Sequence, residues 1–224
     1  MAAKTEVKAS ESKSEPKADN KAQATRDKNL ELALQAIAKE YGEMYWDGPR
    51  DYGYGGYRDD GRWHPVARDI IAHFGLKAGM RVLDVGCGKG FLVKALLAAC
   101  PGLEAFGLDI SLYALMHCSP ETIGRLHLGT AEQLPFLDGS FDCVISLNTI
   151  HNFPRPRAIV AMREIQRLCN GRAFVQVDSY LTPQQKELFE SWVLTAEFHD
   201  YPEGWLKVFA EAGYTGDYDW TIIE

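Results

Sequence analysis

The run Val82-Leu83-Asp84-Val85-Gly86-Cys87-Gly88-Lys89-Gly90 holds the densest chemistry in the chain. An apolar stretch ends in an acid, and three glycines then alternate with other residues. Glycine is required where a ligand lies against the main chain, because a Cβ would hold it away. The spacing is G-x-G-x-G. A dinucleotide fingerprint reads G-x-G-x-x-G and aims a helix N-terminus at a pyrophosphate; here Phe91 follows Gly90 directly. The second element is Gly107-Leu108-Asp109-Ile110-Ser111, whose acid stands nineteen residues beyond Gly90. A carboxylate at the carboxyl end of a strand is placed to accept from both hydroxyls of a ribose, and its charge strengthens those bonds. Alone, such an Asp also reads as a turn or cap residue. In this order, and on matching elements, the two motifs describe a nucleoside site.

A third element is Gly129-Thr130-Ala131-Glu132-Gln133-Leu134-Pro135-Phe136, and a fourth is Asn148-Thr149-Ile150-His151-Asn152-Phe153. The fourth follows a strand and should face the reacting group. His151 titrates near neutrality and is the candidate base for a hydroxyl or ammonium acceptor; the alternative is a packed or capping histidine. Asn148 is read as shaping the pocket through its amide.

The elements that must position these residues follow from periodicity. Apolar residues recur at helical spacing from Leu30 to Ala38. Residues 41–63 are rich in Gly and aromatics, too polar and Gly-rich for a helix or strand interior. Residues 65–75 read as a helix with Pro at its start and Gly75 at its end. Then strands at 80–85, 104–110, 125–128, 141–147 and 172–179 alternate with helices at 91–99, 111–118 and 156–168. Helices near 183–194 and 203–212 and a strand at 218–223 close the chain, with a weak strand signal at 192–198. Such alternation specifies an α/β fold, a doubly wound and mostly parallel sheet with helices on both faces. Residues 1–27 contain no large apolar side chain beyond Met1 and Val7 and read as a solvated, disordered tail. Residues 28–75 are then N-terminal helices with an aromatic lid, and 76–224 the ligand-binding domain. Tyr54, Tyr57 and Trp63 are the lid residues assigned to the acceptor side.

Composition narrows the partners. The formal net charge is −7 and the pI about 5.4, which disfavours nucleic acid and anionic membrane surfaces. The five cysteines are scattered and fit neither a zinc knuckle nor a disulfide framework, so no metal and a reducing, cytoplasmic location are expected. No apolar run approaches the roughly twenty residues of a membrane span. A monomer or homodimer acting on a small molecule is the expectation.

VLDVGCGKG, GLDIS, GTAEQLPF and SFDCVISLNTIHNF, in that order, resemble class I S-adenosylmethionine (AdoMet)-dependent methyltransferases, in particular their small-molecule and quinone branch. The resemblance covers residues 75–224. It implies AdoMet as cofactor, with Gly86 and Gly88 along the methionine moiety, Asp109 on the ribose and Ala131 with its neighbours at the adenine. Asp84, Cys87, Gly90, Ile110, Thr130, Glu132 and Asn148 complete the implied cofactor set. Where the family often has an acid this chain has Thr130, which leaves the adenine amine to Thr130 or Glu132. The single strand after the last helix departs from the usual closing hairpin. The function implied is in-line methyl transfer to a small-molecule acceptor. The rivals are a non-catalytic AdoMet-binding regulator and a dinucleotide-dependent oxidoreductase, the latter disfavoured by the glycine spacing.

Overall fold

The computed structural model describes residues 17–169 and 171–222. Three N-terminal helices, α1 (Lys17–Ala38), α2 (Glu43–Trp46) and α3 (Trp63–Phe74), precede the sheet. The strands are β1 (Arg81–Val85), β2 (Glu104–Asp109), β3 (Leu126–Leu128), β4 (Cys143–Leu147), β5 (Ala173–Ser179) and β6 (Asp217–Ile222). Between them lie α4 (Phe91–Ala99), α5 (Leu112–Met116), α6 (Arg155–Cys169), α7 (Pro183–Glu190) and α8 (Pro202–Ala212). Every pairing is parallel, in the order β3-β2-β1-β4-β5-β6. Parallel neighbours need crossover connections, and the helices supply them.

Strands covered on both sides must be apolar on both sides. In β1, Val82 packs with Leu96, Ile145 and the α3 residue Ile70 on one face. Leu83 and Val85 pack with Met162, Ile165 and Trp205 on the other. The chain runs outward from β1 through β2 to β3, then returns to β4 on the opposite side of β1. The strand order reverses between β1 and β4, and a crevice lies at their carboxyl ends.

Three details differ from the sequence reading. Helix α1 begins at Lys17, so residues 17–27 are helical where a tail is expected, and residues 1–16 lie outside the described region. Lys, Ala and Gln are good helix formers, and low hydrophobicity alone does not prevent a helix. The strap 41–63 is not wholly irregular: it contains α2 and a 3-10 turn at Arg50–Tyr52. Residues 192–198 form turns rather than a strand. The edge of β5 that such a strand would occupy is taken by β6, and Phe198 instead packs on Trp205 with ring centroids 4.7 Å apart.

Candidate active site

The acid closing β2 organises the crevice. Asp109 is buried, and its two carboxylate oxygens accept from the N–H of Gly88 and of Ser111, each at 2.7 Å. Burial pushes its pKa up, and the backbone donors at Ser111 and Gly88 oppose that. Each oxygen retains a further lone pair for a ligand. Ser111 caps α5 by accepting from the Ala114 N–H, and it also accepts from Trp46 Nε1 at 2.8 Å while donating to the Tyr41 carbonyl at 2.6 Å. Strap and nucleoside-type acid are thereby joined through one serine.

The glycines are explained by the protein's own packing as well as by a ligand. A Cβ on Gly86 would stand 2.0 Å from Thr149 Oγ1, where the loops after β1 and β4 meet. A Cβ on Gly88 would stand 2.8 Å from the Trp46 ring. Gly90 turns away from the crevice, toward Leu126 and Thr122.

Lys89, the charged residue inside the glycine loop, is nearly fully buried. Its Nζ donates to both Asp47 oxygens at 2.7 Å and to the Tyr57 carbonyl at 3.0 Å. Lys94 pairs with Asp59 at 3.2 Å, whereas Arg62 bonds locally to Asp60. The strap is thus pinned along its length. Burial raises the pKa values of Tyr41, Tyr45 and Tyr54, so their hydroxyls stay protonated.

The crevice has two compartments. One, with about 560 Å³ of space open toward solvent, is lined by Asp109, Ile110, Thr130, Ala131, Phe153 and strap tyrosines. The other, about 700 Å³, is lined by Asp84, Cys87, Gly88, Tyr57, Arg62 and Trp63. Tyr54, Trp46, Gly86, Leu147 and Asn148 border both. Burial, reinforced by the charge of Asp109, pushes Asp84 up to about 7. Trp63 Nε1 lies beside the Tyr57 hydroxyl but is buried without a partner of hydrogen-bonding geometry.

Of the residues expected at the site, Gly90, Glu132 and His151 line neither compartment. Glu132 is taken by Arg157, whose Nε donates to it at 2.7 Å; that pairing lowers its pKa. Thr130 does line the crevice, and its hydroxyl donates to Glu132 Oε2 and accepts from the Glu132 N–H, both at 3.4 Å. His151 is buried: Nδ1 accepts from the Asp178 N–H at 3.2 Å, and its carbonyl accepts from the Glu197 and Phe198 N–H groups. Burial lowers its pKa, opposed by Asp178. His151→Ala is therefore expected to cost about 2 kcal/mol of stability, a buried ring and one hydrogen bond, with nucleoside affinity unchanged. A rate loss at an unaltered melting temperature would return the histidine to the chemistry. Thr149, Ser111 and Lys89 carry no assigned role in the sequence reading; of these, only a lysine inside a glycine loop offers a signal.

Residues 83–175 match the family described as "Methyltransferase domain". Over that stretch the chain is similar to class I AdoMet-dependent methyltransferases. Among curated relatives, the ubiquinone biosynthesis O-methyltransferase of Methylococcus capsulatus is 35% identical over 98 residues, 41% of this chain and 40% of that one. The demethylmenaquinone methyltransferase of Thermotoga maritima is 28% identical over 157 residues, 63% of this chain and 66% of that one. The chain thus spans about two fifths of the length of the first of these relatives. A solved complex of the Haloferax volcanii Trm112 methyltransferase activator with a methyltransferase aligns at TM-score 0.56 and 22% identity, covering 81% of this chain and 74% of that one, a likeness of fold.

AdoMet is the cofactor that this likeness implies, and the residues present fit it. Asp109 offers free lone pairs to a ribose, and Ile110 and Ala131 offer apolar surface to a base. Asp84 has no ion-pair partner among the described residues, which suits an ammonium. The unpaired Trp63 Nε1–H and the Arg62 guanidinium suit a carboxylate.

Proposed function

We propose that this chain transfers a methyl group from AdoMet to a small-molecule acceptor by in-line displacement. The observation that carries the reading is the two-compartment crevice, with a ribose-type acid in one half and the unpaired Asp84 in the other. AdoMet bound there supplies the methyl group on a sulfonium. The chain's own part is to hold both reactants in line and exclude water, and such positioning is worth up to about 7–11 kcal/mol. Trp46, Tyr54 and Tyr57 present aromatic faces to a cation, a favourable arrangement. The ubiquinone and menaquinone methyltransferase relatives support a small acceptor. No helix among the described residues is long and apolar enough to cross a membrane. The five unpaired cysteines support a reducing compartment such as the cytoplasm.

The test is isotopically labelled AdoMet incubated with the protein and a metabolite extract. Transfer of label to a small molecule is expected; binding without turnover would reduce the protein to a nucleoside sensor.

Asp84 adds a pH signature. Its carboxyl titrates at about 7 in the free protein, and a neighbouring ammonium would lower that value. Affinity for S-adenosylhomocysteine should therefore rise from pH 6 to 8 and level off above, with proton release near pH 7. Calorimetry in buffers of different ionisation enthalpy measures it, and Asp84→Asn should abolish the effect. Equal heats in all buffers would detach Asp84 from the amino group.

A further inference from the structure

Because β6 runs parallel to β5, its last residues reach the same rim as the loop leaving β4. Thr221 stands at that rim. Its Oγ1 donates to Asn148 Oδ1 at 2.9 Å and accepts from Gln176 Nε2 at 3.1 Å. The Asn148 main chain is held as well, with φ +52° in the left-handed region that Asn tolerates, and with its N–H donating to the Gln176 carbonyl at 2.9 Å. With Oδ1 engaged, the side chain has its two Nδ2 protons left to offer. Those protons have no hydrogen-bond partner among the described residues. Asn148 also borders both compartments. A donor with its ribose in one and its methionine end in the other places its sulfur at that border.

We infer that Asn148 presents a hydrogen-bond donor to the attacking atom of the acceptor, aimed by Gln176 and Thr221, and that this atom is oxygen. The inference rests on the methyltransferase reading and specifies its substrate class. A hydroxyl or phenolate oxygen has lone pairs enough to accept from Asn148 and still attack. A neutral amine has one lone pair, which a donor-only neighbour would occupy, and an ammonium has none. In the step, one oxygen lone pair forms the O–CH₃ bond as the CH₃–S bond breaks, with that electron pair remaining on sulfur. A hydroxyl proton passes to water at the open mouth. Asn148 touches the reacting atom; Thr221 and Gln176 act through it as positioning residues.

Protein carrying [¹⁵N]asparagine has five such residues, and Asn148→Asp assigns the relevant side-chain signal. With S-adenosylhomocysteine bound, Thr221→Val should collapse the Asn148 amide pair to the positions of a free side-chain amide, while Thr221→Ser should keep it. Phenol, as the oxygen probe, should shift the pair in the wild type and the Ser variant. It should bind about three- to tenfold more weakly to the Val variant, one neutral hydrogen bond. Benzylamine, as the nitrogen probe, should leave the pair in place. An unmoved signal in Thr221→Val, or equal responses to phenol and benzylamine, would overturn the inference. Calorimetry of wild-type protein with S-adenosylhomocysteine separates the two levels: heat together with an unmoved signal overturns the relay alone, and no heat overturns the methyltransferase reading as well.

Discussion

Asp109→Ala is expected to weaken S-adenosylhomocysteine binding by about a hundredfold or more. The substitution removes charge-assisted hydrogen bonds to the sugar, each worth about 1.5–3 kcal/mol, and about 2.7 kcal/mol corresponds to a hundredfold. It also removes the acceptor shared by the Gly88 and Ser111 N–H groups, both at 2.7 Å, so the glycine loop and the start of α5 lose their common anchor. Asp109→Asn does not repair this, because its amide NH₂ would face one of those N–H donors. The melting temperature should move less than the affinity, since a buried charge disappears together with the bonds it accepts. Titration calorimetry at constant pH measures the effect, and an unchanged dissociation constant would remove the ribose assignment.

Gly88→Val should abolish nucleoside binding within the range calorimetry reaches, again about a hundredfold or more. Three effects coincide. The residue has φ +54°, where a β-branched side chain is strained. Its Cβ would meet the Trp46 ring at 2.8 Å and Tyr57 at 3.5 Å, so the strap must lift. Its N–H is one of the two that hold Asp109. The sheet is untouched, so the protein should still fold, and circular dichroism checks that. Limited proteolysis should cut within 41–63 faster than in the wild type. Binding retained at wild-type strength would show that this glycine is not needed for close approach.

How far the sequence led depends on how far apart the cooperating residues lie in the chain. The glycine loop and Asp109 are legible because each motif is local and sits at the end of a strand marked by its apolar run. Ser111 with Trp46 is not legible, since the two are separated by 65 positions. Lys89 with Asp47 spans 42 positions, and Thr221 with Asn148 spans 73. Such pairs exist only once the crossovers are folded. The error at 192–198 has the opposite origin: Trp192, Val193, Leu194 and Phe198 have strand-like character, but the sheet edge they would join is occupied by β6. The pairing of Glu132 with Arg157 on α6 is likewise not legible, because the two lie 25 positions apart.

One indole carries a kinetic consequence. Trp46 is bonded to Ser111, and Ser111 to Asp109, so the covering segment and the Asp109 carboxylate are joined. Whatever frees the nucleoside must also unfasten its cover. Release of a bound nucleoside is then expected to loosen the strap as well, widening the mouth already open to solvent.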